Sequence, residues 1–324
     1  MKIAVFWRKN RNVEFQKKVS TIEVYDDALE EAKQLKKGLQ DAGFDVVLLE
    51  WRANPEEMHS LIMKEKIDLV FNASSYEEAI FLETYKIPFT GSSSKVIATD
   101  KVARKIIVSY FGIDTPKFTV AKSKNAIPLI DLTYPLFIKP LNGRGSAGID
   151  ETNIIERYDQ IPDVVGKITE KIGQPALIEE FIEGRELTVG IIGNEDPIIL
   201  PILEIKYTYG RTNTFEHKML DREIIICPMP LPAELENKIK AIALKAYKVL
   251  DIADYGRIDL ILDKNNIPYF LELNTFAGLT LPDTENIKTA HIGYMGYMAI
   301  KKGYDRATFL RNIVNATIKR YGLK

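Results

Sequence analysis

The sequence predicts an α/β fold: a doubly wound parallel sheet in the first third, then two mixed α+β lobes. Strand and helix signals alternate as β-α-β-α-β between Ile3 and Phe71, the order of a parallel sheet. The 324 residues exceed one ordinary domain of roughly 100–200, so two or three packed lobes are expected. Near the end, two period-two segments flank a turn signal, which reads as an antiparallel hairpin. Lobe boundaries are expected at 1–94, 95–180 and 181–324.

Ile3–Phe6 reads as a buried strand, and the opening residues have no long apolar run, so no secretory signal is expected. Ser20-Thr21-Ile22-Glu23 is a capping-box pattern ahead of a helix reaching about Asp41, with Gly43 beyond its end. Val46–Leu49 is the next strand, Pro55–Glu65 the next helix and Leu69-Val70-Phe71 the third strand. A sheet of this kind presents its ligand edge at the strand carboxyl ends. A second unit begins near Ser92, with a helix over Val96–Tyr110, strands at Lys117–Val120 and Leu136–Lys139, and a helical stretch containing Val164–Ile172. A third starts near Phe181. Its strands are Glu186–Ile192, Ile199–Ile205, Ile224–Cys227, Gly256–Leu262 and Tyr269–Leu273; its helices are Pro232–Leu250 and Arg306–Tyr321. No internal repeat, low-complexity tract or flexible linker interrupts this order.

Hydrophobic residues make up 46% of the chain and charged residues 27%, and the net charge is −1. This balance argues against nucleic-acid or anionic-membrane partners, which draw on a basic stripe. No apolar run is long enough to span a bilayer. Cys227 is the single cysteine, so no internal disulfide forms and a cytoplasmic location is expected. Cys227 itself reads as a small buried hydrophobe. The 3 histidines lack metal-ligand spacing, so solvated or hydrogen-bonded roles are expected for His217 and His291.

Chemistry concentrates in three segments. In Gly256-Arg257-Ile258-Asp259 and Leu271-Glu272-Leu273-Asn274, the period of two puts Arg257 with Asp259 on one face and Glu272 with Asn274 on another. If the hairpin closes around Asn265-Asn266, Asp259 falls opposite Glu272 and Arg257 opposite Asn274. Facing carboxylates repel unless a cation lies between them, and oxygen ligands of this kind suit Mg²⁺. A solvated polar hairpin face would carry the same pattern. The second segment runs from Phe137 to Ile149. Lys139 ends a strand and a glycine-rich loop follows, whose backbone N–H groups can approach phosphate. It is not a P-loop, because no Gly-Lys-Ser/Thr triplet follows. A plain hairpin turn is the alternative. The third, Ile178-Glu179-Glu180-Phe181-Ile182-Glu183, sets an acidic pair among apolar residues. It suits a crossing between lobes that recognises an adenine edge, or an exposed acidic loop.

Together with Asp100-Lys101, these segments resemble the D-alanine–D-alanine ligase branch of the ATP-grasp superfamily, from about Tyr85 to about Thr284. The resemblance implies an ATP-grasp fold, two lobes sandwiching ATP behind an N-terminal substrate lobe. It also implies an ATP-dependent carboxylate–amine ligase working through an acyl-phosphate on small amino acids or a peptide. Lys101, Lys139 and Lys218 would contact phosphates, and Gly145, Ser146 and Ala147 would lie in a flexible loop over the triphosphate. Glu179, Glu180 and Ile182 would line the adenine slot, and Glu186 would hold the ribose. Asp259, Glu272 and Asn274 would hold two Mg²⁺, for which Mn²⁺ is a substitute. Arg257 and the Gly278 backbone would polarise the oxyanion. A homodimer is a further family expectation.

The substrate half departs from the family. Trp7-Arg8-Lys9-Asn10 replaces a Gly-rich turn, Asn72–Glu78 replaces a longer His-Gly loop, and the family's Lys-Tyr reads Lys218-Met219. The glutamate that holds the first substrate's ammonium has no clean match; Glu23 and Asp26 are the candidates. Asp283 stands where the family has a serine that holds the acceptor carboxylate, with Thr284 beside it. Alternatives are a ligase for a larger peptide or protein acceptor and an ATP-binding regulator without turnover.

Overall fold

The computed structural model describes residues 1–9, 28–52, 54–73, 76–142, 146, 148–220, 222–281 and 293–324. Strand β1 (Lys2–Trp7) runs parallel between β2 (Asp45–Glu50) and β3 (Leu69–Asn72), pairing Ile3 with Val46 on one side and Leu69 on the other. Ile3, Ala4, Val5 and Phe6 are all buried, as a strand covered on both faces requires. Helix α1 (Ala28–Asp41) covers one face; the capping box at Ser20–Glu23 lies outside the described residues. Asn54 caps α2 (Pro55–Glu65) by accepting the Glu56 and Glu57 N–H groups.

Two expectations are corrected here. The stretch Asn72–Glu78 does not remain a loop: α3 (Tyr76–Thr84) starts within it. The single helix expected over Val96–Tyr110 is two, α4 (Ser94–Ala98) and α5 (Lys101–Tyr110). The break is made by Asp100, whose carboxylate accepts the Ala103 N–H and begins α5 afresh.

The second sheet has the order β4-β7-β5-β6 and is antiparallel: β4 (Phe118–Ala121), β5 (Leu136–Pro140), β6 (Ile154–Ile155) and β7 (Ala176–Glu180). Helix α6 (Ile161–Gly166), continued by a π-helical segment (Lys167–Ile172), backs it. The third sheet collects β8 (Gly184–Ile192), β9 (Ile198–Ile199) and β10 (Leu203–Tyr207). The strand expected over Ile199–Ile205 is thus interrupted, and Pro201, which has no N–H to give a ladder, stands in the gap. After α7 (Phe215–Met219) come β11 (Glu223–Ile226), α8 (Ala233–Val249), β12 (Tyr255–Asp263) and β13 (Pro268–Asn274), in the order β11-β10-β8-β12-β13. Helices α9 (Tyr294–Lys301) and α10 (Arg306–Tyr321) end the chain. The sequence signals missed α7 and α9.

The cores cross the sequence order. Val96, Val108 and Ile113 pack with Leu187, Leu260 and Phe270 of the third sheet, not with the second. Helix α10 returns to the first sheet: Leu310 and Ile313 share a core with Ile3, Leu35 and Leu39. Fully buried Asp254, at φ 64°, ties this junction. It accepts from the Gly91 N–H at 2.9 Å, Thr317 Oγ1 at 2.8 Å, Asn194 Nδ2 at 3.0 Å and Arg320 Nη2 at 2.6 Å.

Candidate active site

The site is built on β12 and β13. Arg257 pairs with Asn274 and Asp259 with Glu272, as the spacing predicts. The route to that register differs from the expectation. Asp263 N–H donates to the Ile267 carbonyl, so the loop holds three residues, with Asn266 left-handed at φ 60°. That moves the register by one. A bulge restores it: Asp259 faces Glu272 while Leu260 faces Phe270, leaving Leu271 as the extra residue.

The carboxylate of Asp259 is saturated. Its Oδ1 accepts from Thr188 Oγ1 at 2.6 Å and Arg257 Nε at 2.9 Å. Its Oδ2 accepts from Arg257 Nη2 at 3.1 Å and Asn274 Nδ2 at 2.7 Å. The expected repulsion between Asp259 and Glu272 is therefore relieved by neighbouring donors, with Asn274 Nδ2 also 3.4 Å from Glu272 Oε1. Burial pushes the Glu272 carboxyl up, but Lys101, Lys139, Lys218 and Arg257 outweigh it and hold it at about 2. Glu272 is an anion stabilised by cations drawn from several separate elements.

Lys101 opens α5, and its Nζ lies 3.4 Å from the Leu141 carbonyl. Burial lowers its ammonium, and Glu272 opposes that. Lys139, near the end of β5, pairs with Glu179 Oε1 at 2.5 Å. Lys105, one turn beyond Lys101, takes Glu179 Oε2 at 2.9 Å, and burial lowers its ammonium to about 8. Glu186 accepts from Tyr207 Oη at 3.0 Å, and burial raises its carboxyl to about 7 against the pull of Lys218. One cleft between the second and third sheets is lined by Lys101, Lys139, Ser146, Glu186, Lys218, Asp259 and Glu272, together with Asn213 and other residues.

Not every expected residue joins it. Glu179 is turned onto Lys105 and Lys139, and Glu180 Oε1 accepts the Thr133 N–H at 3.0 Å; neither these nor Ile182 line the cleft. Gly278 has its own structural reason to be glycine, because a Cβ there would stand 2.7 Å from Gly293 Cα. Gly145, Ala147, Glu23, Asp26, Asp283, Thr284 and His291 lie outside the described residues. His217 is fully buried, its Nδ1 3.0 Å from Thr214 Oγ1 and its ring against Tyr207 and Tyr209. Cys227 is buried, and burial raises its thiol to about 11, which leaves it inert.

Sequence reasoning missed Thr188, Tyr207 and Lys105. Thr188 was within reach: it alternates with Glu186 on β8, so both share a face. Lys105 was too, four residues after Lys101 on one helix face. Tyr207 carried no signal of its own.

Among the described residues, no group of three or more His, Cys, Asp or Glu is arranged to hold a metal. The donors present still fit Mg²⁺, which is commonly held by one or two carboxylates plus substrate phosphates. Glu272 supplies hard oxygens; if the Asn274 amide turns its oxygen inward, Asn274 supplies another and frees Asp259 Oδ2 of its bond to Nδ2. Among the described residues, no helix is long and apolar enough to cross a membrane.

The family model described as D-ala D-ala ligase C-terminus matches residues 107–290. The D-alanine–D-alanine ligase of Carboxydothermus hydrogenoformans is 32% identical over 267 residues, 75% of this chain and 81% of that protein. That of Pelotomaculum thermopropionicum is 30% identical over 264 residues, 74% of this chain and 76% of the other. In fold, the ATP-complexed D-alanine–D-alanine ligase of Bacillus anthracis superposes with a TM-score of 0.76, at 21% identity, over 99% of both chains.

Proposed function

This chain belongs to the D-alanine–D-alanine ligase family, and from that premise we propose how its residues divide the work of an ATP-dependent, amide-bond-forming ligase. The observation that carries the reading is the cleft where Lys101, Lys139 and Lys218 converge on Glu272 and Asp259. A carboxylate carbon is a poor electrophile, because it has no leaving group. Transfer of the ATP γ-phosphoryl supplies one, and attack by an amine then expels phosphate. Mg²⁺, when bound, offsets charge on the transferring group, and Asp259, Glu272 and Asn274 would hold it, as two ions.

Lys101, Lys139 and Lys218 bind the phosphates as point charges. Lys139 reaches them by leaving Glu179, which stays neutralised by Lys105. Glu186 accepts from the ribose, while Glu179, Glu180 and Ile182 flank the adenine with backbone groups, the two carboxylates being held elsewhere, and Gly145, Ser146 and Ala147 cover the triphosphate. Arg257, oriented by Asp259, and the Gly278 N–H meet the oxyanion formed on amine attack. Glu23 or Asp26 holds the first substrate's ammonium, and Asp283 or Thr284 faces the acceptor. The lobes divide at 94 and 180, the protein works in the cytoplasm, and two copies pair.

The substrates are small amino acids or a short peptide. The relatives do not favour a larger acceptor or a silent ATP-binding regulator. The test is ADP release over pairs of D- and L-amino acids and short peptides, with mass analysis of products. Coupled ADP and amide product with at least one pair is expected. ATP binding without turnover across the whole panel would overturn the ligase assignment.

A further inference from the structure

Tyr294 lies just beyond the residues that the family model matches, 107–290, and no motif in the sequence points to it. It opens α9, and its ring covers the guanidinium of Arg257 with the Arg257 carbon 4.8 Å from the ring centroid. Its hydroxyl reaches both oxygens of Glu223, at 2.6 and 2.7 Å. Glu223 Oε1 also accepts from Asn213 Nδ2 at 2.7 Å. Asn213 lines the cleft and directly precedes Thr214, the N-cap of α7, which carries Lys218.

These contacts form one chain from Asp259 through Arg257, Tyr294, Glu223 and Asn213 to the helix of Lys218. Arg257 is held on its edge by Asp259 and on its face by the ring, so its plane has little freedom. At the other end, a charge-assisted hydroxyl–carboxylate bond anchors the short segment that delivers Lys218. We propose that Tyr294 is a positioning residue for the ligase reaction: its ring sets the plane of Arg257, and its hydroxyl, through Glu223 and Asn213, sets the reach of Lys218. The proposal rests on the roles given above to Arg257 and Lys218. It assigns Tyr294 two separable duties, one felt in turnover and one in nucleotide binding.

The experiment uses the full chain with Mg²⁺. Affinity is measured with the non-hydrolysable analogue adenylyl imidodiphosphate, and turnover as ADP release with D-alanine. Tyr294→Phe keeps the ring and removes the hydroxyl. It is expected to weaken the analogue about tenfold, the size of one charge-assisted hydrogen bond, and to leave kcat within about threefold of wild type. Tyr294→Leu removes both and is expected to lower kcat more than tenfold as well. In a Lys218→Ala background, Tyr294→Phe is expected to add nothing to the loss of affinity, because the hydroxyl acts through Lys218. Glu223→Gln keeps an acceptor and is expected to fall between wild type and Tyr294→Phe. Equal losses from Tyr294→Phe with and without Lys218 would make the hydroxyl merely structural and overturn the proposal, as would wild-type affinity in Tyr294→Phe. The underlying reading is judged separately by Arg257→Ala and Lys218→Ala alone. If these keep wild-type turnover and affinity, that reading fails; if they lose them while both Tyr294 variants do not, the proposal alone fails.

Discussion

The cleft between the second and third sheets and the half built on the first sheet are organised on opposite principles. Charge is buried in and behind the cleft: Lys105, Lys139, Glu179, Arg257 and Asp259 are each under 10% exposed, and each is paired. The first-sheet half buries mainly hydrocarbon, with Glu78 on α3 a fully buried carboxylate. Phe6, Met58, Val70, Phe81 and Leu82 fill its core, with Trp51 edge-on to Phe81. Buried ions are costly unless partners are held in place, so the cleft needs regular strands and caps to fix every donor. An apolar layer tolerates variation around it, provided volume is kept. Most residues proposed to handle the nucleotide therefore stand on regular elements: Lys139 on β5, Glu186 on β8, Asp259 on β12, Glu272 on β13, Lys101 on α5 and Lys218 on α7. The residues proposed for the substrates, Glu23, Asp26, Asp283 and Thr284, lie outside the described residues.

The contrast is sharpest at Glu272. Its carboxylate is the anion on which four cations converge, so Glu272→Gln is expected to remove several kcal/mol of transition-state stabilisation, on the order of 10³-fold in turnover. The fold should persist, since β13 keeps its pairing. Near-normal ADP release by this variant would end the argument that the cleft is the working half.

Next in size is the seam that joins the halves. Asp254→Ala leaves Arg320 short of its buried partner and is expected to cost about 3 kcal/mol of stability, seen as a lower denaturation midpoint. If nucleotide affinity of the folded variant fell in parallel, the separation of framework from site would break down.

Lys139→Ala deletes the phosphate contact proposed for this lysine, of a kind worth roughly 1.5–3 kcal/mol. Nucleotide affinity should drop about tenfold or more on that scale. Titration calorimetry showing unchanged affinity would return Lys139 to a purely structural pairing with Glu179.

Glu186 gives a smaller, pH-dependent effect. Its carboxyl titrates at about 7 in the fold against an ordinary 4.5, so the folded state holds the proton more tightly than the unfolded chain. Stability from this group is present in full below pH 4.5 and declines as pH rises to about 7. Denaturant titrations of nucleotide-free protein at several pH values should show that slope, and Glu186→Gln should flatten it. An unchanged slope in the variant would assign it elsewhere.

The smallest effect tests the substrate half. An ionised Asp283 accepts hydrogen bonds only, so it repels an acceptor carboxylate where a serine would donate. D-alanine alone is expected to be a slower acceptor than some other member of the panel, and Asp283→Ser to raise its rate a few-fold. D-alanine outpacing every other pair, with no gain in the variant, would remove the distinction between the two halves.

Period-two alternation and capping are local signals, and what depends on them was legible from the chain. The facing pairs Arg257–Asn274 and Asp259–Glu272, the helices Pro55–Glu65 and Arg306–Tyr321 and the β-α-β-α-β opening all follow from neighbours in sequence. Even the hairpin register came out right through two compensating local departures, a three-residue turn and the bulge at Leu271. Tertiary structure alone decided which core each helix joins. The apolar stripe of α5 fits any sheet face, yet Val108 packs against the third sheet, and α10 closes on the first from the other end of the chain. It also decided who shares the buried charges. Glu179 holds Lys105 and Lys139 across 74 and 40 positions, and Tyr294 meets Arg257 and Glu223 across 37 and 71. A carboxylate or a ring carries no mark of its partner in the chain; the desolvation of the folded interior makes one arrangement of partners far cheaper than the rest.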